Sequence, residues 1–163
     1  VPTIGAINGP AIGLGNDVGC TCDIRIASDT AKFGATFLKI GLIPGDGGSW
    51  LLPRVIGWSN ASRLFFTGDV VDAETAKSWG LVSDIVPAAT LMDEANELAK
   101  RIVQQPPHAL RMTKQLMRDG MNSTFSTIME MSAAMQVIVQ NTDDHMEAVN
   151  AFFDKRKPEF KGQ

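Results

Sequence analysis

A glycine-rich turn followed by an acidic residue is the part of this sequence that points most clearly to chemistry. Residues 8–19 are NGPAIGLGNDVG, and a β-branched run precedes them. Gly13 and Gly15 let the backbone turn sharply and approach a ligand, because they carry no Cβ. The helix predicted to begin here has free N–H groups at the positive end of its dipole. Asp17 adds a titratable carboxyl, so the segment predicts an oxyanion-stabilising site and therefore an enzyme.

Other motifs of catalytic or metal-binding proteins are incomplete. The glycine turn fails the dinucleotide-binding fingerprint, because Val18 occupies its third glycine position. Cys20 and Cys22 have no histidine or further cysteine nearby, so we expect no metal site. The two residues are typical of buried, reduced thiols, from which we predict a cytoplasmic location, with an organelle matrix as the alternative.

The composition excludes two classes of partner. The chain has 163 residues, of which 44% are hydrophobic and 20% charged, and this length is enough for a real core. Its net charge of −3 argues against a nucleic-acid-binding surface. No apolar run approaches the ~20 residues of a membrane helix. We therefore expect neither nucleic acid nor a membrane as a partner.

The elements that must position the glycine turn alternate between strands and helices. Strands are predicted at 3–7, 24–27, 32–34 and 81–86. Helices are predicted at 48–56, 60–66 and 73–79. The last of these lies between Asp72 as N-cap and Gly80 as C′ residue. Because a helix lies between the first two strands, they form a βαβ crossover and are expected to pair in parallel.

From residue 90 onward the pattern is helical throughout. Helices are predicted at 90–104, 107–118, 124–140 and 144–153. Seven of the eight methionines lie between Met112 and Met146. The apolar residues of the helix at 124–140 cover more than one stripe, which predicts burial on two sides. That burial is either in the core of the domain or against another subunit.

Ordered motifs along the whole chain match one known family. They are NGPAIGLGNDVGCTCDIRIAS, KFG, KIGLIPGDGG, LLPRVIG and FTGDVVDAETAKSWGLVSDIV, and the similarity continues to the terminal AFFDKRKPEFKG. With these motifs the chain resembles the crotonase family, the enoyl-CoA hydratases and isomerases. Members of this family have an additional N-terminal segment, and this chain starts abruptly with VPTIGAI, the run that contains the predicted strand at 3–7. We therefore expect the chain to be truncated at its N terminus.

The resemblance implies a fold and an assembly. The fold is α/β, with a truncated ClpP/crotonase-like spiral of ββα turns over residues 1–90. A C-terminal helical trimerisation region follows over residues 91–163. The assembly implied is a homotrimer or a dimer of trimers.

The resemblance also implies stabilisation of a thioester enolate by two backbone N–H groups. One belongs to Leu14, between the substrate-binding Gly13 and Gly15. The other lies in the N-terminal segment that we expect to be absent. A CoA thioester is then the substrate, and no cofactor is expected. Because one oxyanion donor is missing, we expect the chain by itself to be inactive or nearly so.

Family hydratases use two glutamates, and this sequence departs from both. The first position is Asp17, and the second is Phe37, which moves no proton and is a candidate substrate contact. Asp46 in PGDGG is a candidate substitute, one residue beyond the aspartate of some isomerase-like relatives. The structural alternatives are an anion at a helix N-terminus for Asp17 and an ordinary N-cap for Asp46.

The function hypotheses follow from these departures. Hydration of a 2-enoyl-CoA to a 3-hydroxyacyl-CoA leads, because it is the family's commonest activity. Double-bond isomerisation, which needs one carboxylate, is the runner-up. A non-catalytic, truncated family member that acts in assembly or binding is the rival from another class. Lys155 and Lys161 are candidates for binding the CoA phosphates, with a solvated basic tail as the alternative.

Overall fold

The computed structural model describes residues 1–163, which divide into two units, Thr3–Leu98 and Ala99–Gln163 with Val1–Pro2. The strands are β1 (Ile4–Ile7), β2 (Pro10–Ile12), β3 (Ile24–Ser28), β4 (Lys32–Gly34), β5 (Val70–Asp72) and β6 (Asp84–Val86). The α-helices are α1 (Leu14–Thr21), α2 (Gly48–Ile56), α3 (Trp58–Thr67), α4 (Ala73–Ser78), α5 (Leu91–Val103), α6 (Pro107–Gly120), α7 (Phe125–Gln140) and α8 (Asp143–Asp154). Two short 3₁₀ helices span Phe37–Ile40 and Ala88–Thr90.

The first sheet has the order β1-β3-β6 and is parallel throughout. Ile4 pairs with Ile24 and Ile7 with Ala27, so the predicted crossover from β1 through α1 to β3 is confirmed. Ala27 has no exposed surface, because the central strand is covered on both sides.

A second sheet, β2-β4-β5, contains two strands that the sequence analysis missed. β2 and β5 have three residues each and follow turn signals, so their local pattern is weak. They exist because Phe33 of β4 pairs with Ala11 on one side and Val71 on the other. This sheet positions the glycine turn, since Gly13 directly follows β2.

The predicted strand at 81–86 is correct only for its last three residues, Asp84–Val86. Leu81 instead belongs to the C-terminal end of α4. There the Leu81 N–H donates to the Ala76 carbonyl, and the Gly80 N–H donates to the Lys77 carbonyl. Gly80 has a positive φ of 79°. This is a Schellman motif, and Leu81 is its buried apolar residue. An apolar residue that looked like part of a strand therefore belongs to a helix end.

The helices of the Thr3–Leu98 unit agree closely with their predictions. α2 has the predicted bounds. Asp72 caps α4 as predicted, because its carboxylate accepts from the Thr75 N–H at 2.9 Å. α1 packs on α2 and α2 on α3, around the buried side chains of Leu52 and Leu64. The α1–α2 contact is the one that builds the candidate site.

The helix α7 in the C-terminal unit buries none of its residues in this chain. Phe125 is 81% exposed, and Val137 is 60% exposed. The expectation that this helix lies in the domain core is therefore wrong, whereas its packing against another subunit stays a prediction. The assignment of roles to residues 1–90 and 91–163 also stays a prediction. None of the helices combines the length and the apolar character that a membrane span requires.

Candidate active site

The glycine turn brings the start of α1 into a conformation that only glycine adopts easily. Gly13 has φ 57° and ψ −121°. Its N–H donates to the Gly34 carbonyl at 2.9 Å, and its carbonyl accepts from the Asp17 N–H at 3.1 Å. The N–H groups of Leu14 and Gly15, in the first turn, have no acceptor within the helix. A Cβ at Gly15 would meet nothing within 4 Å, so the space beside the α-carbon of Gly15 is open.

Phe37 lies next to this turn, as the start of a 3₁₀ helix. Its ring atoms Cε1 and Cζ are each 3.7 Å from the position that a Cβ of residue 13 would take. The structure therefore brings Phe37 and Gly13 together. The residue beside Gly13 is therefore an aromatic ring, which has no titratable group.

Asp17 is 1% exposed, and neither of its carboxylate oxygens has a hydrogen-bond partner. The carboxyl points at the first residue of α2, Gly48, where an added Cβ would overlap both oxygens. Gly47, which precedes it, is the N-cap and has φ 91°. Asp17 thus lies at the positive end of a second helix. The alternative role, satisfying the free N–H groups at the start of its own helix, is wrong because no hydrogen bond forms.

Burial raises the pKa of Asp17 above its ordinary value of 3.8, because an ionised carboxylate loses its hydration there. The nearby Asp46 charge raises this pKa further. The Asn16 amide and the Gly48 N–H act in the opposite direction. Both groups are close enough to favour the carboxylate, although neither completes a hydrogen bond of ordinary geometry. The carboxyl is thus suited to exchange a proton at a higher pH than an exposed aspartate.

Asp46 lies exposed in the turn before α2. It is not the N-cap of that helix, because Gly47 occupies the cap position and no side chain bonds there. The expected capping role of Asp46 is therefore wrong. What the turn does provide is a second carboxylate whose charge acts on Asp17.

Lys155 and Lys161 belong to the C-terminal unit. Lys155 ends α8 with a left-handed backbone, at φ 56°. The backbone N–H of Lys161 donates to the Asp144 carboxylate at 2.7 Å. Both lysines are exposed. They are therefore accessible cations, and their role in binding phosphate stays a prediction.

Two residues near Asp17 were missed by the sequence analysis. Gly48 lies directly against the carboxyl, and the signal for it was the glycine pair before a helix. Asn16 is 2% exposed, and its amide also has no hydrogen-bond partner. The signal for Asn16 was a second polar residue beside an acid in an otherwise apolar or glycine-rich helix.

Comparison with known proteins establishes the family. The whole chain, residues 1–163, matches the enoyl-CoA hydratase/isomerase family, and the chain belongs to it. The chain is 39% identical over 162 residues to 1,2-epoxyphenylacetyl-CoA isomerase of Escherichia coli (strain K12), covering 99% of this chain and 62% of that protein. It is 38% identical to the mitochondrial methylglutaconyl-CoA hydratase of Mus musculus, covering 100% of this chain and 53% of that protein.

The fold agrees with this assignment. The crystal structure of enoyl-CoA hydratase from Bacillus anthracis matches with a TM-score of 0.97 at 38% identity. The match covers 99% of this chain and 63% of that one. The predicted α/β crotonase fold is therefore confirmed. The chain spans between 53% and 62% of the length of the two curated relatives named above.

Proposed function

We propose that the protein is an enoyl-CoA hydratase, which adds water to a 2-enoyl-CoA and yields a 3-hydroxyacyl-CoA through a thioester enolate. The observation that carries this proposal is a pair of carboxylates beside the start of α2, buried Asp17 of α1 and exposed Asp46, whose charge raises the pKa of Asp17. Hydration needs one group to accept a proton from water and one to deliver a proton to carbon. Two carboxylates in electrostatic contact are able to divide these tasks.

The residues take the following roles in the proposal. The Leu14 N–H donates to the thioester oxygen as negative charge develops on it, and Gly13 and Gly15 keep the approach open. Asp17 takes the proton of the attacking water, whose oxygen adds to the β-carbon. Asp46 delivers a proton to the α-carbon of the enolate, and the proton held by Asp17 returns to Asp46 through solvent before the next turnover. Phe37 contacts the acyl group. The thioester supplies the electron sink, so the chemistry uses no redox cofactor and no metal.

Double-bond isomerisation is the second candidate, and two observations favour it. Phe37 occupies a position beside the glycine turn without a titratable group, and Asp46 is exposed. Asp17 is then the one buried carboxyl of the site, and a single carboxyl that removes a proton from one carbon and returns it to another is sufficient. The Escherichia coli relative is named an isomerase and the Mus musculus relative a hydratase.

The product of the full-length protein separates the candidates. We expect crotonyl-CoA to lose its enoyl absorbance and to gain the mass of one water molecule. A product with the same mass as the substrate, across a panel of enoyl-CoA substrates, would contradict the hydratase proposal and favour isomerisation. Absence of turnover on every substrate would favour the non-catalytic alternative.

The contribution of Asp46 is tested in the same assay. We expect Asp46→Asn to lower the hydration rate by more than about tenfold, as loss of a general acid or base does. Asp84→Asn is the matched control, because Asp84 is an exposed aspartate whose 3.8 Å ion pair with Lys77 lies on the surface. A loss for Asp46→Asn no larger than that of the control would remove Asp46 from the mechanism.

Three further proposals concern binding, assembly and location. Exposed Lys155 and Lys161 bind phosphates of the acyl-CoA. The wide apolar surface of α7, which buries no residue in the single chain, packs against other copies in a homotrimer or a dimer of trimers. The location proposed is cytoplasmic. Light scattering that gives the mass of a monomer would contradict the assembly.

A further inference from the structure

Two adjacent side chains hold all the unpartnered polar atoms buried in the chain. Every buried side-chain nitrogen or oxygen without a hydrogen bond in residues 1–163 belongs to Asn16 or Asp17. Both residues lie in the first half of α1, and they are 2% and 1% exposed. Buried polar atoms in proteins almost always have partners, so a cluster of four without any points to a function.

The two side chains are close to each other. The Asn16 amide is near enough to the Asp17 carboxyl to favour the ionised form of that carboxyl, although the hydrogen bond between them is incomplete. No other side chain of the described residues forms a hydrogen bond with either group.

A carboxyl that transfers a proton changes its hydrogen-bonding character in each cycle. As a carboxylate it only accepts hydrogen bonds, whereas as a carboxylic acid it also donates one. The amide of asparagine has a donor at Nδ2 and an acceptor at Oδ1. Rotation of that amide by about half a turn presents one end or the other, so one asparagine is able to partner both states of the carboxyl.

We propose that Asn16 is a positioning residue for Asp17, whose amide donates from Nδ2 to the carboxylate and accepts at Oδ1 from the carboxylic acid. The inference rests on the proposed function, in which Asp17 carries a proton. When Asp17 takes that proton from water or from an acyl carbon, an O–H bond forms on the carboxyl. The electron pair left behind forms the new C–O bond or remains in the enolate. Asn16 keeps the carboxyl in place before and after this step.

The other groups around Asp17 do not supply this pair of bonds. The Gly48 N–H at the start of α2 donates only, so it serves the carboxylate and not the acid. Asp46 in the turn before α2 opposes ionisation. Cys20, further along α1, is buried, and burial raises the pKa of its thiol to about 11. The thiol is therefore neutral at the working pH. The nearby cation Arg25 acts on Cys20 in the opposite direction. The one charged side chain of α2 is Arg54, which lies over the Trp50 ring.

The test compares Asn16→Ala with Asn16→Ser in the full-length protein. The two variants leave similar space, but only serine retains a group that both donates and accepts. We expect Asn16→Ala to lower kcat by at least tenfold with KM changed less than twofold, and Asn16→Ser to recover at least fivefold of that loss. We also expect the acid limb of the kcat profile to move to higher pH in Asn16→Ala, because the carboxylate loses its donor.

Controls separate this inference from packing effects and from the proposed function. Asn60→Ala removes an amide that donates to the Ile56 carbonyl at 3.1 Å, and the acid limb is expected to keep its pH. Equal losses in Asn16→Ala and Asn16→Ser, or an unmoved acid limb, would overturn the positioning role. If Asn16→Ala fails to fold, Asn16→Leu, which fills the space without a polar atom, takes its place. Retained activity in Asp17→Asn would overturn the proposed function itself.

Discussion

Asp17 and Asp144 are two buried aspartates with opposite surroundings. They are 1% and 2% exposed, in the Thr3–Leu98 unit and the C-terminal unit respectively. The Asp144 carboxylate accepts from the N–H groups of Lys161 at 2.7 Å and Gly162 at 2.9 Å. The Asp17 carboxylate accepts no hydrogen bond. The two side chains are thus equally buried, but the Asp144 carboxylate forms hydrogen bonds that hold the structure. The Asp17 carboxylate forms none.

The difference between them is one of hydrogen-bond satisfaction. Backbone N–H groups that point at a carboxylate replace its lost hydration and favour its charge. Asp144 uses them to attach the last residues of the chain to α8. A carboxylate without such donors is costly to keep charged in the interior, so its pKa is raised and it exchanges its proton at a higher pH than an exposed aspartate does. This contrast supports the proposal that Asp17, and not Asp144, carries the proton in the reaction.

The largest expected effect is on turnover. We expect Asp17→Asn to lower kcat by about 10²–10⁴, the usual contribution of general acid–base catalysis, with its fold intact. The measurement is steady-state turnover of the full-length protein on an enoyl-CoA, with Asp84→Asn as the surface control. A loss in kcat of well under tenfold would contradict the catalytic role of Asp17, which would then be buried for structural reasons only.

Asparagine substitutions at Asp17 and Asp144 are expected to change the free energy of unfolding in opposite directions. Asp17→Asn removes a buried carboxyl without hydrogen-bond partners and is expected to stabilise the fold by about 1–3 kcal/mol at a pH where that carboxyl is ionised. Asp144→Asn places an NH₂ donor against one of the two backbone N–H donors and is expected to destabilise the fold by a similar ~1–3 kcal/mol. Urea unfolding at pH 7 measures both. Changes of the same sign would show that burial, and not the number of hydrogen bonds to the carboxylate, determines the change in unfolding free energy.

The pH dependence of this stability difference has a defined sign. The pKa of Asp17 is raised in the folded state, so the folded protein binds the proton more tightly than the unfolded chain does. The cost of its charge is complete above the folded pKa and disappears below the ordinary value of 3.8. We therefore expect the stability gained by Asp17→Asn to shrink as the pH falls. A gain that grows in acid would contradict the raised pKa.

The smallest expected effect concerns a half-buried carboxylate, Glu147. Its bidentate bond with Arg156, at 2.6 and 2.7 Å, lowers the pKa of Glu147 to about 2, and the Glu159 N–H adds to this. The stability that it contributes is complete above the ordinary value of 4.5 and is lost as the pH falls towards about 2. We expect the chain after α8 to loosen over this range and not at neutral pH.

Limited proteolysis tests the same contact at neutral pH. We expect Glu147→Gln to speed tryptic cleavage after Arg156 by a few-fold, because local opening exposes the segment. Glu130→Gln, on the exposed surface of α7, is the matched control. Equal rates in the two variants would mean that Asp144 alone holds the end of the chain.

The local features of this protein were determined by its sequence. The glycine turn, the bounds of α2, the Asp72 cap and the family were all predicted, because each depends on neighbouring residues or on ordered motifs. Periodicity and cap chemistry act over a few residues, so the printed sequence contains them. The candidate residues Asp17 and Asp46 were also found in this way.

Only the tertiary structure decided what surrounds those residues. The absence of partners for Asp17, its close approach to Gly48 and the burial of Asn16 result from the packing of α1 on α2. The pairing of β2 with β4, and the exposure of α7, likewise depend on segments far apart in the chain. Burial and hydrogen-bond satisfaction are properties of what a side chain meets in space, and no local pattern specifies them.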